Sequence, residues 1–129
     1  MKKHVLLVDD NDKVRALLKS LIELAGYKVI EARDGLDGLT KAKTMAFDLF
    51  VVDYRMPVMD GITLIKGLKE IPMYQVTPMI LVTTDDSHEF SAKVAQIDDL
   101  EVLHKPVGQN QLLNLLAQLT EVESAEEAA

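Results

Sequence analysis

Five short apolar runs alternate with segments of helical spacing, and this order constrains the fold more than any other feature of the chain. Three of the runs are almost continuously hydrophobic, which is typical of strands covered on both faces, as in parallel sheets. We therefore predict five strands. The runs are HVLLV (residues 4–8), KVI (28–30), DLFVV (48–52), MILVT (79–83) and LEVLH (100–104).

The segments between the runs predict five helices. The first is the clearest, because its apolar residues recur at intervals of three and four, with Asn11 as an N-cap and Gly26 as a terminator. The others are predicted at residues 35–45, 62–70, 87–96 and 109–119. Strict alternation implies right-handed crossovers, hence an α/β fold: a three-layer, parallel, doubly wound sheet of five strands with helices on both faces.

The composition of the chain indicates one domain and argues against some classes of binding partner. The chain has 129 residues, of which 48% are hydrophobic, enough for a single core. A net charge of -7 without a basic cluster argues against direct nucleic-acid binding, and no apolar stretch is long enough for membrane insertion. The absence of cysteine suits a cytoplasmic location. We expect the domain to span residues 1–122, followed by a disordered acidic tail at 123–129.

Polar residues that carry chemistry stand where the predicted strands end. Asp9 and Asp10 follow the first strand, Asp53 the third, Thr83 ends the fourth and Lys105 follows the fifth. Ligands of such sheets bind beyond the carboxyl ends of the strands. We therefore expect these five side chains to converge at one edge of the sheet.

These residue types together indicate phosphoryl transfer to Asp53. Mg²⁺ binds one or two protein carboxylates and keeps waters and phosphate oxygens as its other ligands, so Asp9, Asp10 and Asp53 suit it. The ion would reduce repulsion between Asp53 and an anionic donor. Lys105 would neutralise phosphoryl oxygens and Thr83 would donate a hydrogen bond. Each residue alone also has an ordinary explanation, as a cap, a surface lysine or a strand threonine; their joint placement carries the argument.

Four segments give the chain a resemblance to the receiver domain of two-component response regulators over residues 3–119. They are VLLVDDN (5–11), VVDYRMPVMDG (51–61), MILVTT (79–84) and LHKPV (103–107). The resemblance implies a flavodoxin-like strand order 2-1-3-4-5. It also implies that a histidine kinase phosphorylates Asp53 in a step that depends on Mg²⁺, with Mn²⁺ as an alternative ion.

The same resemblance assigns roles to individual residues. Asp9, Asp10 and Asp53 would bind the metal, together with the backbone carbonyl of Arg55. Thr83 and Lys105 would contact the phosphoryl group, with Thr84 as an alternative to Thr83. The Lys105–Pro106 peptide bond is expected to be cis. Val102 occupies a position where many members carry an aromatic switch residue, so an aromatic switch at that position is excluded.

The implied function is signalling rather than enzymatic turnover, with at most self-phosphorylation and self-dephosphorylation. The expected partners are a sensor histidine kinase or phosphotransfer protein and a downstream protein that binds the fourth helix, fifth strand and fifth helix. The chain would be a monomer or a phosphorylation-dependent dimer. An alternative is a receiver cut from a larger response regulator or hybrid kinase. A distant alternative is an aspartyl-nucleophile phosphatase, but Arg55 occupies the place of its general acid.

One hypothesis concerns two charged residues beside the expected site. Arg55 lies two residues after Asp53, and Asp85 lies two residues after Thr83. Both would overhang the site with opposite charges. An ion pair between them would shield an acyl phosphate from water, whereas two separately solvated surface charges would not.

Overall fold

A computed structural model describes residues 2–120 as one parallel sheet with helices on both faces. The strand order is β2-β1-β3-β4-β5, and all four pairings are parallel. The predicted fold class and strand order are confirmed. The strands are β1 (His4–Val8), β2 (Lys28–Ala32), β3 (Leu49–Asp53), β4 (Met79–Thr83) and β5 (Leu100–His104); the helices are α1 (Asp12–Leu24), α2 (Gly35–Thr44), α3 (Gly61–Lys69), α4 (His88–Val94) and α5 (Gln109–Thr120).

Two strand boundaries differ from the prediction in a way that matters for the site. β2 continues through Glu31 and Ala32, which pair with Leu7 and Val8 of β1. A charged Glu31 is tolerated because β2 is an edge strand and Glu31 lies only partly buried. β3 includes Asp53, whose backbone pairs with β4 although its side chain is an acid. The predicted tail, residues 123–129, lies outside the described residues.

The core consists of two hydrophobic layers, one on each face of the sheet. Along β1, Val5 and Leu7 face one layer and Leu6 and Val8 face the other. Helices α1 and α5 cover the first layer, and α2, α3 and α4 cover the second. This double coverage explains why the strands lack polar alternation. None of the helices within residues 2–120 is long and apolar enough to cross a membrane.

Side-chain caps start the first four helices close to the carboxyl ends of the strands. The side chain of Asn11 accepts a hydrogen bond from the Val14 amide at 3.0 Å, which confirms the predicted cap of α1. Gly26, with φ of 100°, follows that helix, as predicted for its terminator. The caps of α2, α3 and α4 are Asp34, Asp60 and Ser87.

Gly61 lets α3 begin directly against the end of β3. Its amide donates a 2.8 Å hydrogen bond to the carbonyl of Tyr54. A Cβ atom at Gly61 would overlap the backbone carbonyl of Asp53 and would lie 2.7 Å from Cδ1 of Leu81. The absence of a side chain at Gly61 therefore lets α3 pack directly beside Asp53.

We expect Gly61→Ala to lower the free energy of unfolding by about 1–3 kcal/mol, because the added methyl group overpacks a rigid backbone contact. Gly67→Ala on the same helix is the matched control. There the nearest atom is Cδ1 of Leu39 at 3.9 Å. In Gly67→Ala the free energy of unfolding should rise by about 0.5–1 kcal/mol, because alanine reduces the backbone entropy of the unfolded chain. Urea unfolding of both variants measures the difference, and equal stabilities would contradict the prediction.

Candidate functional site

The three acids predicted to converge do so at the carboxyl edge of the sheet. Asp9 and Asp10 follow β1, and Asp53 is the last residue of the neighbouring strand β3. One carboxylate oxygen from each lies within 4.8 Å of those of the other two. Asp9 is 1% exposed and Asp53 is 6% exposed, whereas Asp10 faces solvent. Two of the three charges are therefore buried beside each other.

Asp9 is held through most of its polar atoms. Its amide donates to the carbonyl of Ala32 at 3.2 Å, and its carbonyl accepts a 2.7 Å bond from Nη1 of Arg15. Its carboxylate Oδ1 accepts from the amide of Asn11 at 2.9 Å. Among the residues that the structure describes, the other oxygen, Oδ2, is buried without a hydrogen-bond partner. A buried anionic oxygen in this state bears a desolvation cost that no hydrogen bond within the described residues offsets.

Lys105 supplies a positive charge in direct contact with the Asp53 carboxylate. Its Nζ lies 2.8 Å from Oδ1 of Asp53, and its amide donates to the carbonyl of Thr83 at 2.8 Å. The Lys105–Pro106 peptide bond is cis in this structure. The fifth strand therefore delivers the ammonium group to an aspartate two strands away.

The pKa values of this group reflect burial set against pairing. Burial raises the pKa of Asp53 above its ordinary value, although Lys105 opposes that rise. Burial also raises the pKa of Asp9, and the nearby charge of Asp53 adds to the effect. For Lys105 burial acts to lower the pKa, but its hydrogen bond and charge interaction with Asp53 outweigh burial, so the pKa is raised. Burial thus makes the charged forms of Asp9 and Asp53 less favourable, whereas contact with Asp53 favours the charged form of Lys105.

The two threonines at the end of β4 differ in burial. Thr83 is 1% exposed, whereas Thr84 faces solvent. The Thr83 hydroxyl oxygen accepts a 2.9 Å bond from the amide of Asp85, which leaves its proton free to donate. Thr83 is thus the threonine that lies in the sheet edge with the acids.

Arg55 and Asp85 form an ion pair beside this edge. Nη2 of Arg55 lies 3.0 Å from Oδ2 of Asp85, and the guanidinium carbon lies 5.0 Å from the centroid of the Tyr54 ring. The pKa of Asp85 is lowered mainly by hydrogen bonds from Ser87, with Arg55 adding to the effect. The hypothesised contact therefore exists, although the Arg55 side chain remains 72% exposed.

Two features were missed by the sequence reasoning. Arg15 contacts the backbone of Asp9, and no sequence pattern marks an arginine on a helix as a partner of a strand end. Tyr54, next to Asp53, packs against Phe90 of α4 with ring centroids 5.1 Å apart. Val102 is half-buried against the same hydrophobic layer. In this layer the aromatic contact to α4 comes from the residue after Asp53 rather than from β5.

Comparison with known proteins identifies one family. Residues 5–117 match the response regulator receiver domain family. The chain belongs to this family. A receiver domain is a signalling domain of two-component systems, and its standard function is to be phosphorylated and to switch partners.

Three relatives show how far the likeness extends. The receiver domain is 38% identical over 86 residues to PhoP, an alkaline phosphatase synthesis transcriptional regulatory protein of Bacillus subtilis, covering 67% of this chain but 35% of that protein. Vibrio cholerae chemotaxis protein CheY4 shares 32% sequence identity with this chain. Its crystal structure superposes with a TM-score of 0.87, covering 92% of this chain and 99% of that one. The receiver domain of the Pseudomonas aeruginosa sensor histidine kinase PA1611, with magnesium in its active-site cleft, is 22% identical, with a TM-score of 0.85 over 94% of this chain and 99% of that one.

We expect Asp9→Asn to stabilise the metal-free receiver domain near pH 7 by about 1 kcal/mol, because an unpaired buried anionic oxygen is replaced by an amide that can donate. The folded-state pKa of Asp9 is raised above 3.8, so the folded protein binds more protons than the unfolded chain over the interval above that value. The stability of the wild type therefore falls as pH rises through that interval, and the cost is fully present above it.

The advantage of Asp9→Asn should consequently shrink as pH falls toward the ordinary carboxyl value. Urea unfolding in the presence of a chelator, at several pH values, measures this change. Asp10→Asn is the matched control, since its solvent-exposed carboxylate should yield a smaller gain. An Asp9→Asn protein less stable than the wild type at neutral pH would contradict the prediction.

Proposed function

We propose that Asp53 accepts a phosphoryl group from a phosphohistidine and that the resulting acyl phosphate switches the binding of a partner. One observation carries the proposal: three carboxylates crowd one sheet edge with an unpartnered buried oxygen on Asp9, while Lys105 pairs with Asp53. Such a cluster is unfavourable without an added cation and becomes favourable when one binds.

The donor set fits a hard divalent ion. Asp9, Asp10 and Asp53 offer carboxylate oxygens, and the backbone carbonyl of Arg55, two residues beyond β3, would be a further oxygen ligand. The ion would be Mg²⁺, with Mn²⁺ as an alternative, since both prefer oxygen ligands. Once bound, it would neutralise negative charge shared by the phosphoryl oxygens and the carboxylates.

The reaction itself belongs to the residues of the chain. The carboxylate of Asp53 attacks phosphorus, the bond from phosphorus to the donor imidazole breaks, and the electron pair leaves with the imidazole nitrogen. Lys105, which pairs with Asp53 before the reaction, would move its ammonium contact to the new phosphoryl oxygens. The hydroxyl of Thr83 would donate a hydrogen bond to one of the phosphoryl oxygens. Thr84 is the weaker alternative because it faces away into solvent.

The proposed role is that of a phospho-accepting signalling domain, limited to self-phosphorylation and self-dephosphorylation. It would span residues 1–122 and act in the cytoplasm with a sensor histidine kinase or a phosphotransfer protein. A downstream protein would bind the surface of α4, β5 and α5, with the domain a monomer or a phosphorylation-dependent dimer. A receiver joined to a longer regulator or hybrid kinase would use Asp53 in the same way.

Incubation with Mg²⁺ and acetyl phosphate or phosphoramidate should add the mass of one phosphoryl group to the intact protein. Asp53→Asn should abolish the gain, because an amide is not a nucleophile for this transfer. Asp60→Asn is the matched control, since Asp60 caps α3 and asparagine is an equally good cap. No mass gain with any donor, or an undiminished gain in Asp53→Asn, would reject the proposal.

The ion pair of Arg55 and Asp85 should lengthen the life of the acyl phosphate by keeping water from Asp53. Arg55→Ala and Asp85→Ala should each shorten that lifetime severalfold, and the double variant should lose little more than either single one, because both remove the same contact. Loss of phosphoryl mass with time after removal of the donor measures the lifetime. Unchanged lifetimes in both single variants would sink the shielding hypothesis.

A further inference from the structure

Arg15 of α1 makes three separate contacts from one partly buried guanidinium. Nη1 donates to the carbonyl of Asp9 at 2.7 Å, Nε lies 3.1 Å from Oε1 of Glu31, and Nη2 lies 2.8 Å from Oδ1 of Asp12. Its side chain is only 11% exposed. The planar fork of an arginine can hold all three directions at once, which a lysine cannot do.

The contacts of Arg15 join the elements that surround Asp9. Glu31 belongs to the edge strand β2, and the carbonyl of its neighbour Ala32 accepts a hydrogen bond from the amide of Asp9. Asp12 begins α1. Arg15 therefore ties the loop after β1 to the strand beside it and to its own helix. The backbone of Asp9 is held on its amide side by β2 and on its carbonyl side by Arg15.

We propose that Arg15 is a positioning residue for the metal site, which it serves by fixing the backbone of Asp9 so that its carboxylate stays beside those of Asp10 and Asp53. This inference rests on the proposed function, because it assumes that the carboxylates bind Mg²⁺. Residues that orient metal ligands from behind commonly change metal affinity by about 10–100-fold when they are lost.

A purely electrostatic effect of Arg15 would have the opposite sign. A positive charge next to a cation site repels the cation, so removal of the charge alone would strengthen Mg²⁺ binding. Loss of the positioning contact would weaken binding. The direction of the change in affinity therefore separates the two roles without any measurement of phosphorylation.

Lys19 provides a matched control on the same helix. Its Nζ lies 3.3 Å from Oε2 of Glu31, so it shares one partner with Arg15. Lys19→Ala removes a positive charge and an ion pair to Glu31, and the structure shows no hydrogen bond from Lys19 to Asp9 among the described residues. It thus reproduces the charge loss of Arg15→Ala without loss of the Asp9 contact.

Calorimetric titration of the unphosphorylated full chain with MgCl₂ tests the proposal. We expect Arg15→Ala to weaken Mg²⁺ binding by about tenfold, while Lys19→Ala leaves affinity unchanged or slightly higher. Arg15→Lys keeps the charge but loses the fork, and it should weaken binding as well. This second variant decides the matter if Arg15→Ala does not fold, and thermal unfolding with a chelator establishes which variants are folded.

The outcomes distinguish the inference from the proposed function. Wild-type binding of Mg²⁺ with equal or tighter binding by Arg15→Ala and Arg15→Lys would overturn the positioning role alone. Equal losses in Arg15→Ala and Lys19→Ala would also overturn it, because charge or general stability would then explain the effect. Absence of Mg²⁺ binding by the wild type would overturn the metal site and, with it, the role of Arg15.

Discussion

Repulsion among three carboxylates at one edge of the sheet is the constraint around which the rest of the site is arranged. Asp9 and Asp53 are buried, so each bears a desolvation cost in its charged form as well as the charge of its neighbours. Lys105 offsets part of this cost through its contact with Asp53. One buried oxygen of Asp9 remains unpaired within the described chain. A bound cation would offset the repulsion that remains among these carboxylates.

The parallel sheet explains how these side chains come together. β1 and β3 are neighbours, so their ends bring the acids together, and β5 delivers the lysine from the outer side of β4. Gly61 allows α3 to start against β3 without blocking the edge. Tyr54, the residue after Asp53, packs against Phe90 on α4. This aromatic pair gives α4 a direct packing contact with the residue that follows Asp53.

Much of the site was predictable because parallel strands end at a common edge. That rule alone brings Asp9, Asp10 and Asp53 together, and a two-residue offset from two strand ends accounts for the contact of Arg55 with Asp85. The same rule says nothing about a helix that leans on the edge. Arg15 escaped prediction because helical periodicity marks a polar residue only as facing outward, whereas its contact with the Asp9 carbonyl forms only when α1 packs beside the end of β1.

The sequence by itself determined the succession of strands and helices along the chain and the residue types at the strand ends, because these depend on local periodicity. It also determined that helices cover both faces of the sheet, because crossovers between parallel strands are right-handed. Only the tertiary structure decided which oxygen of Asp9 lacks a partner, which threonine is buried and what holds the loop after β1. Those features depend on distances between side chains that are remote in sequence. Burial and hydrogen-bond pairing exist only once the layers have packed together.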